Sequence, residues 1–539
     1  MLLRYFHTLR HFKRAQLAHR LLKKIRDIGD GLRPVPTELP AATARPLILP
    51  KNLHRDPWNS GAALAAGTFD FLRQARPLGW PPDWSAPGAT LSWRFFLHAF
   101  GYLHLLPPQL REALCLHWIE QHPRRAAPAF DPYPLSLRII HWCQVGLEHP
   151  RILASLADQA RFLAGRLERD IPGNHLLENA RALVWAGSRL AGDEAASWLR
   201  LGERVVHAEL GQILADGGHF ERSPMYHALV LEGLLEVRQL AQDPHLRREL
   251  DQRFGPMADF LHSLSHPDGD PAFFNDTVRA IAPASSPLEE QAAACAGRPA
   301  RFQSSFPASG YHVHREGDLY FALDAGPLGP DHLPAHAHSD LFSFELSLAR
   351  KRVFVNSGVF EYAAGPMRDY CRSAWAHNTA SVDGADHGEF WGSFRLARRY
   401  PPEGVAFSSG AQGFQFTGLF KGFAQLVGDG IAHRRNIEGS ALRREVTIRD
   451  EFSGQGTHLI ESFLHLHPDC RVEPGAPVMV RLPGWPFLVE LTVLEGALAI
   501  EKGWYCPEFG LKLENAVLRI WKRTLLPAAL ALRISWREN

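Results

Sequence analysis

The stretch YHVHREGDLYFALDAG, Tyr311–Gly326, decides the fold. It reads as strand, turn residues, strand, with a side-chain period of two. The same reading holds for DLFSFELSLARKRVFVNSG (340–358), NTASVDG (378–384), LRREVTIRDEF (442–452), FLVELTVLEGALAIEKG (487–503) and NAVLRIWKRT (515–524). Upstream the period changes. SWRFFLHAFGYLHLL (92–106), PYPLSLRIIHWCQVGL (132–147), NHLLENARALVWAGSRL (174–190) and YHALVLEGLLEVRQLA (226–241) carry apolar residues three and four apart, the spacing of amphipathic helices. Pro107-Pro108, Pro132, Pro134, Pro172-Gly173, Gly217-Gly218 and Pro224 punctuate them. Successive helical segments on short connections predict packed helical hairpins, and no exact repeat points to a solenoid. Helices first and strands second make a multidomain α+β chain, not an alternating α/β sheet. A loop-rich connector from Asp268 to Pro307 places a helical domain over 31–300 and a strand domain over 301–539, behind a basic helix at 1–30.

The chain has 539 residues and a formal net charge of +2, with 45% hydrophobic and 22% charged residues. This balance excludes a nucleic-acid binder of the wholly basic kind and a long disordered tail. The length predicts two to four domains, or two large ones, with a core that needs no disulfide or structural metal. The six cysteines include no CxxC and read as reduced, mostly buried thiols. No apolar run reaches the roughly 18 residues of a transmembrane helix.

The charge is uneven. The first 26 residues hold eight Lys/Arg and no acid, which leaves the rest of the chain mildly negative. Leu3, Phe6, Leu9 and Phe12, then Leu17, Leu21 and Ile25, recur there at helical spacing. Two readings are open: a basic amphipathic helix on an anionic surface, or a first helix packed on the body with a solvated basic face. We expect the second. The segment lacks the uninterrupted apolar run and small-residue cleavage site of a secretory leader.

Three motifs carry polar chemistry. In Pro172-Gly173-Asn174-His175-Leu176-Leu177-Glu178 a helix starts after the glycine, with Asn174 as the expected N-cap. Asn174, His175 and Glu178 then share one side of the first turn. In GGHFERSPMYH (217–227), Ser223 and Pro224 read as cap and first-turn proline, with Tyr226 and His227 at the helix entrance. In PAHAHSD (334–340), His336, His338 and Asp340 point one way if the chain is extended. A metal reading of this region takes His338, Asn356 and His377. GxSxG, HExxH, Walker and GxGxxG signatures are missing from the sequence.

In this order, GNHLLENARALVWAG, GGHFERSPMYH, FNDT, PAHAHSDLFSFELS, NSGVFEYAAGPMRDYCRSAWAHNTASVDG and GWYCPEFGLKL resemble the heparinase II/III family of polysaccharide lyases, in the type associated with bacterial exopolysaccharide. The resemblance implies an incomplete (α/α) toroid followed by an antiparallel β-sandwich, and β-elimination on a uronic-acid-containing polysaccharide. Such chemistry must neutralise the C5 carboxylate, remove the C5 proton and protonate the leaving oxygen. By resemblance, Asn174 and His175 sit by the carboxylate, and Tyr226 donates to the leaving oxygen and is also a candidate base for one uronate epimer, with His336 for the other. His336 is a base or steadies the carboxylate. Glu178 and Arg222 are accessory groups that orient His175 and the substrate, and Tyr362 is a second tyrosine. Some members hold a structural Zn²⁺ or similar ion; the matching residues are His338, Asn356 and His377. Asn356 stands where the family has Asp, and its uncharged amide is a weaker zinc ligand than a carboxylate. The resemblance implies no organic cofactor and no nucleic-acid partner. It suggests the cell envelope or periplasm, with the cytoplasm as the alternative. Two other classes remain open: a silent glycan-binding or biosynthesis scaffold, and a hydrolase with paired carboxylates.

Overall fold

Proline and hydroxyl side chains set the helix starts. The computed structural model describes every residue except 1, 32–38, 52, 54, 55, 123, 124 and 539. The helical half runs α1 (Leu2–Leu9), α2 (Arg14–Gly31), α3 (Gly61–Ala65), a hairpin of β1 (Thr68–Phe71) and β2 (Gln74–Pro77), α4 (Leu91–Ala99), α5 (Pro108–Gln121), α6 (Pro132–Gln144), α7 (Pro150–Ala164), α8 (Asn174–Arg189), α9 (Asp193–Glu209), α10 (Pro224–Leu240), α11 (Pro244–Leu264) and α12 (Ser285–Ala296). Five of these helices open on a proline in the first turn, where the missing N–H costs no hydrogen bond.

The helices pack as an incomplete (α/α) toroid around α8. Every residue of α8 except His175 is buried, so it is a core helix rather than a surface amphipathic one. Gly187 and Gly202 let α8 and α9 close up; a Cβ on Gly187 would stand 2.5 Å from Leu199 N, and one on Gly202 2.7 Å from Ala180 O. Asn174, expected as a cap, is instead the first helical residue, and Gly173 stands at the cap position with φ 141°.

In the strand half the named strands all pair antiparallel, with one isolated parallel bridge between Gly358 and Cys506 among the described residues. β3 (Ser305–Phe306), β4 (Tyr311–Glu316), β5 (Leu319–Asp324), β6 (Phe344–Leu348) and β7 (Lys351–Phe354) form one sheet in chain order. Then come α13 (Pro366–Arg372), β8 (Ala380–Val382), a ribbon of β9 (Gly388–Trp391) and β10 (Arg395–Arg399), β11 (Glu403–Gly410), β12 (Gly413–Phe420), β13 (Ala432–Ser440), β14 (Glu445–Ser453), β15 (Thr457–His465), β16 (Arg471–Glu473), β17 (Val478–Arg481), β18 (Phe487–Glu495), β19 (Ala497–Glu508), β20 (Leu511–Leu525) and β21 (Ala528–Glu538). An eight-stranded sheet has the order β11-β12-β13-β14-β21-β18-β17-β16, and a four-stranded sheet β19-β20-β15-β8. The four- and five-stranded sheets meet where Val355 N donates to His465 O at 3.0 Å. Their shared core against the long sheet includes Phe321, Phe344, Phe414, Ile448 and Ile534.

β5 explains how the halves join. Leu319, Phe321 and Leu323 face the sandwich core, while Tyr320 and Ala322 pack with Phe260 and Leu264 of α11. A strand buried on both faces reads as a continuous apolar run, which is what LYFAL is.

The N-terminal segment, expected as one helix, is two. The break falls at residues 10–13, where Gln16 reaches back to accept from Lys13 N at 2.9 Å, half of a capping box. Trp391 Nε1 donates to Thr8 Oγ1 at 3.2 Å, and Arg4 pairs with Glu389 at 2.8 Å.

Candidate active site

The site forms where the N-termini of α8 and α10 meet two loops, 273–277 and 334–340, and Tyr362. Both helix ends turn their positive pole toward it. Gly173 is required at its edge: with φ 141°, an added Cβ would strike the Glu221 carboxylate and lie 2.8 Å from Leu333 Cδ2.

Asp276 is the hub. It is fully buried and accepts from His336 Nδ1 at 2.9 Å and His338 Nε2 at 2.8 Å, and from both terminal nitrogens of Arg368. Burial opposes its charge, but Arg368 and the two imidazoles hold its carboxyl well below the usual range. The PAHAHSD segment is irregular rather than a strand, yet it brings both imidazoles onto one carboxylate. Asp340 turns elsewhere and accepts from Asn275 N at 2.8 Å.

His336 lies over the Tyr226 ring, centroids 3.9 Å apart. Its Nδ1–H donates to Asp276, so Nε2 is the nitrogen left to exchange a proton. That Nε2 is 3.7 Å from Glu221 Oε2. Tyr226 O–H meets Tyr362 O–H at 3.0 Å. Burial, with Tyr362 beside it, pushes the Tyr226 phenol well above its ordinary value, so it stays protonated. The Arg368 guanidinium sits 5.1 Å from the Tyr362 ring centre and so links Asp276 to Tyr362.

Asn174 donates from N to Glu221 Oε1 at 3.1 Å and from Nδ2 to Glu221 Oε2 at 2.7 Å. Nδ2 keeps a second proton, and Oδ1 is buried without a partner among the described residues. His175 Nδ1 pairs with Glu168 Oε1 at 3.2 Å, and the ring stacks on Tyr133 at 4.3 Å. Burial alone would lower its pKa, but Glu168, Glu221 and Glu178 outweigh it and hold the imidazole above the ordinary value.

Two accessory expectations are corrected. Glu178 does not orient His175: its carboxylate is bound by Arg181 at 3.1 Å, one helical turn on, and Glu168 takes the expected role. Arg222 does not reach the cleft groups. It has a left-handed backbone, φ 57°, and donates to Ser309 O at 3.0 Å and Ala308 O at 3.4 Å, latching the toroid to the sandwich.

The metal-type residues are adjacent but do not converge. His338 Nδ1 faces His377 Nε2 at 3.3 Å, whereas Asn356 Oδ1 meets Nδ1 on the other side of the His377 ring at 3.0 Å. One ion cannot take all three from those positions, and Asn356 Oδ1 also accepts from Ser343 Oγ at 2.7 Å. As arranged, the set does not fit one tetrahedral ion. Another cluster of ligand type, His207, His245 and Glu249, lies on the accessible surface of the toroid.

Sequence reasoning missed Asp276, Glu221, Glu168, Tyr133 and Arg368 as parts of this site. Three of them lie inside motifs already singled out, FNDT, GGHFERSPMYH and GPMRDYC. The usable signal was a charged residue inside a motif that had to be buried, since such a group needs a partner.

Comparison with known proteins places this geometry. The heparinase II/III-like C-terminal family matches residues 298–537, and the heparinase II/III N-terminus family residues 150–288. A heparin-sulfate lyase of Pedobacter heparinus is 25% identical over 261 residues, 43% of this chain and 39% of the relative. One of Bacteroides thetaiotaomicron is 26% identical over 280 residues, again 43% and 39%. The matched stretch thus spans about two fifths of those relatives' length. The crystal structure of heparinase III superposes with a TM-score of 0.66 at 18% identity, covering 85% of this chain and 79% of the other. A heparan sulfate lyase HepC mutant from Pedobacter heparinus gives 0.61 at 16% identity, covering 97% and 89%. Toroid, sandwich and both domain matches agree, and the chain belongs to the heparinase II/III family.

Proposed function

We propose that the protein is a polysaccharide lyase that cleaves a uronic-acid-containing polymer by β-elimination. One observation carries the reading: His336, fixed by Asp276 at 2.9 Å, is laid over Tyr226 at 3.9 Å, with Glu221 between it and Asn174. A base and a neutral acid in contact are what elimination requires on adjacent carbons.

The Asn174 amide and the His175 imidazolium pair with the uronate carboxylate, which offsets the charge that grows as the C5 proton leaves. His336 Nε2 takes that proton. The C5–H electrons form the C4=C5 double bond, the C4–O bond breaks, and Tyr226 gives its proton to the departing oxygen. Tyr362, 3.0 Å from Tyr226, orients the phenol. The relatives are heparin-sulfate lyases, which supports an acidic polysaccharide as substrate class. A bacterial exopolysaccharide is the setting we favour, following the sequence resemblance.

Tyr226→Phe and His336→Ala should each lower turnover by about 10²-fold or more, the usual loss of a general acid or base. Steady-state rates on a uronate polymer check this, and near-wild-type rates for either variant contradict the assignment.

A further inference from the structure

The two N-terminal helices are turned inside out. In α2 the side facing the body is polar. Gln16 Nε2 donates to His332 O at 3.2 Å and approaches Asp170 O at 3.5 Å, and Arg26 donates to Gly165 O. Leu17, Leu21, Ile25 and Ile28 recur at intervals of four, four and three, on the side opposite Gln16 and Arg26. Their exposures are 44%, 62%, 56% and 70%, with Leu22 beside them at 50%. α1 adds Leu3 at 73% and Phe6 at 61%. An amphipathic helix resting on a protein buries its apolar stripe against the core. Here the stripe faces away, so the expected packing of a hydrophobic face on the body is overturned.

The charge around the stripe selects what covers it. Arg10, Lys13, Arg14, Arg20 and Lys24 are all exposed, and no acid precedes Asp27. A second copy would bring another strongly basic segment against this one, and like charges oppose that contact. Exposed leucine and isoleucine flanked by lysine and arginine match an anionic lipid surface. We propose that α1 and α2 form a membrane-surface docking face for anionic bilayers. The segment lies in the interface without crossing it; no helix among the described residues is long and apolar enough to span. Because Gln16 bridges Asp170 of the toroid and His332 of the sandwich, docking would hold one edge of the cleft toward the lipid. The inference stands independently of the lyase reading.

The test is vesicle flotation of the full chain with phosphatidylcholine alone and with phosphatidylcholine containing one quarter phosphatidylglycerol. The expected result is about tenfold or more enrichment on the anionic vesicles, weakened by salt. Combined Leu21→Ser, Ile25→Ser and Ile28→Ser should lower it about tenfold, with melting temperature unchanged, since all three side chains are exposed. Equal recovery on both vesicles overturns the proposal. So does a wild-type dimer in light scattering that the same triple variant converts to monomer, because the face would then be covered by a second copy.

Discussion

At His175 two opposing effects meet. Burial disfavours the imidazolium, while Glu168 at 3.2 Å, with Glu221 and Glu178 farther off, favours it more. The cation therefore persists to higher pH than in a free histidine. Its contribution to stability is complete below the ordinary imidazole value and is lost as pH rises through the raised one. If the cation neutralises the uronate carboxylate, activity falls over that same alkaline window. Glu168→Gln should move the alkaline limb of the pH–rate profile to lower pH while leaving the acidic limb in place; an unmoved limb removes His175 from the role. Asn174, His175, Tyr226 and His336 were legible in sequence because each is a chemistry-bearing residue inside a motif. Their partners were not, since Asp276 lies 60 residues from His336 and Glu221 lies 47 from Asn174. Spacing within a motif describes one element, and these pairs join two.

Two helix starts and two loops do the positioning. Ser223 Oγ caps α10 through Tyr226 N at 3.2 Å, donates to Asp276 O at 2.7 Å and meets Thr277 Oγ1 at 2.9 Å. Ser223→Ala should cost about 1–2 kcal/mol in urea unfolding, the upper range for a lost cap because the groups left behind are buried. An unchanged midpoint would mean the cap is dispensable. The helices and the SP cap were readable from period and proline chemistry. The left-handed Arg222 and the irregular 334–340 loop were not, because tertiary contacts set them: Arg222 O accepts from Asn275 Nδ2 at 2.9 Å, and Asn275 Oδ1 accepts from His338 N at 3.0 Å. At the His338–His377–Asn356 chain, the geometry predicts hydrogen bonding in place of a shared ion. Dialysis against a chelator should leave the melting temperature unchanged, and one tightly held zinc per chain in elemental analysis would contradict it.

Across the molecule, the toroid and sandwich share β5, the Arg222 latch and the Asp276 hub, so the cleft exists only when both domains are in place. The change of period near residue 300 made the two-part architecture readable. The sequence reading gives LYFAL only a period of two; the structure buries it on both sides, against α11 on one and the sandwich core on the other. The mildly negative body also acquires meaning here. The positive groups at the site are the N-termini of α8 and α10 and His175, set among Glu168, Glu221 and Asp276, an arrangement suited to pairing with one carboxylate rather than with any polyanion. The most direct test of the central claim is incubation with a panel of uronate polymers, including heparan sulfate, hyaluronan, alginate and bacterial exopolysaccharides. The readout is the ultraviolet absorbance of the new C4=C5 double bond. The account predicts that absorbance on at least one polymer and its loss in Tyr226→Phe. New reducing ends without the unsaturated product would contradict it.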